Sequence, residues 1–143
     1  GAWQFSTSPR LSAAPVLGSL RMVAEAGIGR LREKSLAMTN YLITLLEEGG
    51  LLDAPYHYRI GTPRDDCRRG GHVAVEHDAG ARIAKALKQI GVIPDFRPPD
   101  VVRLAPIPFY TSYADIWQVA QKLREVIDTG LYLQMPEGRE LVS

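Results

Sequence analysis

The 143 residues predict a small α+β domain: a sheet of roughly three or four strands with helices packed on one face, preceded by a long bent helix. Three observations carry that class. Long stretches repeat apolar residues three and four apart, short stretches between them alternate, and Gly or Pro stands at most changes of period. The resulting order is α, β, β, α, β, α, with only three or so strands.

From Ser12 to about Glu48 the period is helical, through Leu17, Leu20, Val23 and Ala24 and then Leu31, Leu36, Met38, Leu42, Leu45 and Leu46. Pro15 suits a first turn, and Gly27 and Gly29 around Ile28 divide the stretch into two helices before Gly49-Gly50 stops it. The apolar residues do not keep a heptad, which favours core packing and domain docking over a coiled coil. Tyr56 to Gly61 alternates as a strand, Thr62 to Gly71 is a charged loop, and His72 to His77 is a second strand pairing antiparallel with the first. Asp78 is placed to cap a helix from Ala79 to Ile90, which Gly91 ends. Ser112 opens a capping box with Asp115 for a helix carrying Ile116, Val119, Ala120, Leu123, Val126 and Ile127 inward. Gly130 closes it, and the tail Leu131 to Ser143 holds a short extended piece, Leu131-Tyr132-Leu133.

Between those last two helices lies Gly91 to Asp115, which contains five of the ten prolines and the β-type run Val101 to Ala105. Alternation sends Val102 and Leu104 to one face and Val101, Arg103 and Ala105 to the other. An arginine on a strand face needs an acceptor. It either snorkels to water or pairs with a nearby Asp, or its fork is held out for a ligand carboxylate. Val92 to Asp95 is a candidate fourth strand, and its presence decides the direction of the Arg103 strand.

Composition excludes more than it assigns. Seventeen basic residues against sixteen acidic leave a net charge of +1, which points to neither nucleic acid nor an anionic membrane. No apolar run approaches the ~20 residues of a spanning helix, no signal peptide opens the chain, and Cys67 has no second cysteine to pair with, so a cytoplasmic setting is expected. A metal site at Cys67, His72, Glu76, His77 and Asp78 fails on spacing: His72 and His77 face opposite sides of a strand, and His72 and Glu76 are ~13 Å apart on the same side. Arg69-Gly70-Gly71 matches no phosphate-binding fingerprint and reads as a turn. Tyr110 can donate a hydrogen bond in a site, although an aromatic beside Pro106, Pro108 and Phe109 reads first as packing. No Gly-x-Ser-x-Gly elbow and no Ser/His/Asp set is present.

Taken together, Arg69-Gly70-Gly71-His72-Val73, Asp95-Phe96-Arg97, Arg103-Leu104-Ala105-Pro106, Tyr110-Thr111-Ser112 and Asp115 resemble the C-terminal part of kynureninase. The resemblance covers nearly the whole chain and implies the small, mainly antiparallel domain of an aspartate-aminotransferase-type fold. It implies pyridoxal 5'-phosphate as cofactor, L-kynurenine as substrate, a large domain of the same enzyme as partner, and a homodimer. Within it, residues 1–10 lead in from the large domain, 11–130 form the small domain and 131–143 a tail. Arg103 falls where the family grips the substrate α-carboxylate. Thr7, of the Ser6-Thr7 pair, falls where the family contributes to the cofactor phosphate site across the dimer interface. Asp95 and Arg97 read as structural partners with a role beside the site left open. The family's cofactor-holding lysine lies upstream of the matched region, and Lys34, Lys85, Lys88 and Lys122 all fall on predicted helices, so no catalytic residue is expected in this chain and the chain alone should be inactive. A cysteine desulfurase or aminotransferase of the same fold would also need a carboxylate-gripping arginine here. A non-catalytic interaction module is the remaining alternative.

Overall fold

The structure, a computed structural model, describes residues 10–137. It contains α1 (Arg10–Ala26), α2 (Ile28–Glu48), β1 (Arg59–Ile60), β2 (Val73–Glu76), α3 (Gly80–Gln89), β3 (Asp95–Arg97), β4 (Val101–Leu104), α4 (Tyr113–Asp128) and a short 3₁₀ turn, Leu131–Gln134. The chain divides into two compact units, residues 1–33 and residues 34–143, with the division inside α2.

In the first unit the predicted break between helices is at Gly27, whose φ of +84° suits glycine, while its amide still donates to the Val23 carbonyl at 2.8 Å. Pro15 lies inside α1 rather than in a first turn, because the helix starts earlier than the sequence suggests. Val16, Leu17 and Leu20 are all exposed on α1.

In the second unit the strands form one antiparallel sheet in the order β1-β2-β4-β3. Alternation sorts its two faces. Val73 and Val75 of β2 and Val102 and Leu104 of β4 are buried, against Ala74, Glu76, Val101 and Arg103, which are only partly so. The buried face meets α3 through Ile83, Ala84, Ala86 and Leu87, α4 through Ile116, Leu123 and Val126, and α2 through Met38, Leu42, Ile43 and Leu46, in one continuous core. Helical spacing explains α2, whose buried positions from Ser35 to Leu46 follow the three-and-four repeat. The helix α3 lies so close to the β3–β4 connection that a side chain at Gly80 would stand 2.4 Å from the Asp100 carbonyl oxygen.

Four local expectations change. The strand expected from Tyr56 shrinks to two residues, because the Tyr56 and His57 amides both bond the Asp53 carbonyl in a turn and Tyr58 is drawn into the core, its hydroxyl donating to the Leu123 carbonyl at 2.9 Å. Asp78 does not cap α3: it pairs with Arg59, and His77 Nδ1 instead accepts from the Ala79 amide at 2.9 Å. The fourth strand begins at Asp95 rather than Val92, whose amide is engaged by the Leu87 carbonyl in the left-handed ending of α3 at Gly91. Leu131 to Leu133 form a 3₁₀ turn instead of an extended piece, since Gly130 at φ +65° reverses the chain and the Leu133 amide returns to its carbonyl. The capping box of α4 forms as expected, with Ser112 and Asp115 bonding each other's amides.

Candidate functional site

The outer face of the sheet carries charge in two rows. In one, the register places Ala74, Arg103 and Asp95 side by side across β2, β4 and β3. In the other it places Arg59, Glu76, Val101 and Arg97 across β1, β2, β4 and β3. At the β1 edge Arg59 is held by Asp78 at 3.0 Å, Asp100 at 2.9 Å and Glu76 at 3.8 Å. Hydrogen bonding to Asp78 first, with Asp100 adding to it, raises its already high pKa. Three carboxylates against one guanidinium leave that cluster nothing to offer an anion.

The β3 edge is different. Arg103 Nη2 donates to Asp95 Oδ2, and Arg97 Nε donates to the same oxygen at 3.1 Å. Two guanidinium charges meet one carboxylate, so one positive charge is left unmatched among the described residues. Arg103 also borders a cavity of about 410 Å³ with His72, Ile93, Pro94, Asp95 and Ala105. Its side chain is one-third exposed, enough to be reached from that cavity. A partly desolvated guanidinium with spare donors, beside a space of small-molecule size, has the charge and donor geometry that a carboxylate matches.

A second cavity, of about 450 Å³, adjoins the first through Ile93 and Ala105 and runs between the end of β4 and α4, where Leu104, Ile116 and Val119 make it mainly apolar. Tyr110 lines it and is 78% exposed, so this ring is not the packing residue that its proline neighbours suggest. Lys122 lines it too, while Lys34 donates to the Pro108 carbonyl at 2.6 Å and Lys85 to the Pro136 carbonyl at 3.0 Å. All four lysines are on helices, as expected, and none borders the Arg103 cavity. Lys122 is thus the lysine nearest in lining to the Arg103 space, on the adjoining cavity that shares Ile93 and Ala105 with it.

Thr7 lies outside the described residues. Among the described residues no three His, Cys, Asp or Glu side chains stand close enough to hold a metal ion. Arg69 is a structural residue: 3% exposed, it donates to Asp66 and, at 3.4 Å, to the Arg64 carbonyl, stapling the charged loop from within. Nothing in its Arg-Gly-Gly setting signals that burial. The Asp95 partnership was legible in principle, because the pairings 95 with 103, 96 with 102 and 97 with 101 are symmetric about Pro99. A hairpin turn placed there brings Asp95 opposite Arg103.

The kynureninase C-terminal domain profile matches residues 31–123. The kynureninases of Geobacillus thermodenitrificans and Bacillus cereus are each 47% identical over all 143 residues, and that of Bacillus anthracis is 46% identical. The chain spans about a third of the length of these curated relatives, 33% in each case. By the extent of the profile match, the chain belongs to the kynureninase C-terminal domain family.

Proposed function

We propose that the chain is the small, substrate-gripping domain of a kynureninase, a hydrolase that cleaves the Cβ–Cγ bond of L-kynurenine or its 3-hydroxy form to give anthranilate or 3-hydroxyanthranilate and L-alanine. The observation that carries this reading is Arg103, a guanidinium with spare donors on the outer sheet face, beside a cavity of small-molecule size. In it, Arg103 pairs with the substrate α-carboxylate and fixes the orientation of Cα, and a misplacement of ~1 Å there costs ~100-fold in rate. Pyridoxal 5'-phosphate, held by a large domain, supplies the electron sink. Arg103 contributes binding and orientation, and the helix-borne lysines take no part. The exposed apolar side chains of α1 suit cover by that large domain. Residues 1–10 lead in from it, 11–130 form the small domain, and 131–143 a tail. Thr7 offers a hydroxyl to the cofactor phosphate across a homodimer interface. The setting is cytoplasmic, in tryptophan breakdown through kynurenine toward NAD; among the described residues no helix is long and apolar enough to cross a membrane.

Anthranilate fluorescence from L-kynurenine, with the full-length protein and added pyridoxal phosphate, tests the reaction. Steady anthranilate release is expected. A protein that binds the cofactor yet releases none would retain the fold and lose this function to a desulfurase or aminotransferase reading.

A further inference from the structure

We propose that Asp95 is a positioning residue for Arg103, holding its fork aimed into the cavity. The proposal rests on the reading of Arg103 as the carboxylate grip. Arg103 leaves β4 between two neighbours in register, Ala74 on one side and Asp95 on the other. Ala74 ends at its Cβ and can restrain nothing. Asp95, on the edge strand β3, is the acceptor that the guanidinium meets among the described residues, and the contact uses Nη2 alone. Nη1 and Nε keep their donors for a ligand. Asp95 is itself steadied, because the oxygen that accepts from Arg103 also accepts from Arg97 Nε at 3.1 Å. Both carboxylate-bearing and cavity-lining roles fall to one residue, since Asp95 borders the same space as Arg103.

The charge count favours positioning over simple neutralisation. With Arg97 sharing the carboxylate, Asp95 does not cancel Arg103: one positive charge remains, which a single ligand carboxylate matches. A long arginine otherwise loses rotamer freedom when it is ordered, and a residue that orders it before the ligand arrives removes that cost from binding.

The test uses two readouts. In the full-length enzyme, Asp95→Ala is expected to raise KM for L-kynurenine about tenfold or more while lowering kcat less than threefold, and Asp95→Asn, which keeps an acceptor oxygen of the same reach, to stay within about threefold of the unmodified KM. In the 143-residue chain, the Arg103 Nη2–H NMR signal, the group that meets Asp95, is expected to be sharp with Asp95 or Asn and to broaden by exchange with water in Asp95→Ala. Asp95→Ser replaces the alanine variant if that folds poorly. An unchanged KM in the alanine or serine variant overturns the proposal, as does an asparagine variant as impaired as alanine. An unmodified enzyme that makes no anthranilate, together with an Arg103 signal that depends on Asp95, leaves the positioning role standing and removes the kynurenine reading instead.

Discussion

One sheet presents two surfaces made by alternate residues of the same strands, and they follow different rules. On the inner face Val73, Val75, Val102 and Leu104 meet three helices and are buried. On the outer face Arg59, Glu76, Arg103, Asp95 and Arg97 pair among themselves and stay partly in water. The inner face stabilises through area removed from water. The outer face adds little stability, since exposed ion pairs are worth about 0–1 kcal/mol each, but it holds charge in fixed places. Val102 and Arg103 are neighbours in sequence and belong to these two regimes.

The largest effect expected of breaking the comparison is at Arg103. In a full-length enzyme Arg103→Ala should lower kcat/KM for L-kynurenine by about 2–5 kcal/mol, roughly 30- to 5,000-fold, while the melting temperature barely moves. Arg103→Lys keeps the charge without the planar fork and should recover little. Near-normal kinetics in either variant would take the carboxylate role away from the outer face.

One residue earlier the pattern should invert. Val102 is fully buried, and Val102→Ala removes two methylene equivalents at ~0.8 kcal/mol each and leaves a void, so about 2–3 kcal/mol of stability is expected to go. Activity per folded molecule should be unchanged. Urea denaturation alongside kinetics separates the two, and a Val102 variant that lost activity without stability would show that the faces are not independent.

A smaller effect sharpens the comparison at the helix layer. α4 begins in a reciprocal box, with Asp115 held below its usual pKa by the Ser112 amide first and the Ser112 hydroxyl second, whereas α3 has no side-chain cap. Ser112→Ala should therefore cost about 1 kcal/mol in a denaturant melt, with no counterpart substitution available at Ala79.

Sequence patterning made the inner face readable and the outer face only half so. The three-and-four repeat of α2, the two-residue alternation of β2 and β4, and the Ser112–Asp115 box each report local geometry, and local geometry is what a linear pattern records. Arg103 stood out because its strand assigns it to the face away from Val102. What it touches depends on a hairpin register set around Pro99, and the adjoining cavities depend on where α3 ends relative to β4, which no period encodes. Asp78 illustrates the same limit. Its place before a helix marks a cap, but three-dimensional proximity to Arg59 wins, and α3 is left without a side-chain cap. Thr7, read from resemblance, lies outside the described residues.

His77 stands where the two faces meet and gives the smallest test. Its ring lies near Tyr58 and Tyr132, 5.3 Å and 6.3 Å between centroids, while its neighbour Asp78 belongs to the outer cluster. Burial lowers its pKa, outweighing the attraction of Asp78. Nδ1 is an acceptor, so a proton there would also remove the Ala79 contact. Above the ordinary histidine value of about 6.5 the group is neutral whether the chain is folded or not, and its contribution is fully present. As the pH falls below that value the unfolded chain takes up the proton first, and stability is lost progressively down through the lower folded value. Melting temperatures at about pH 7.5 and pH 5.5 should therefore fall more for the unmodified chain than for His77→Gln. Equal slopes would mean that this half-buried ring does not set the response to acid.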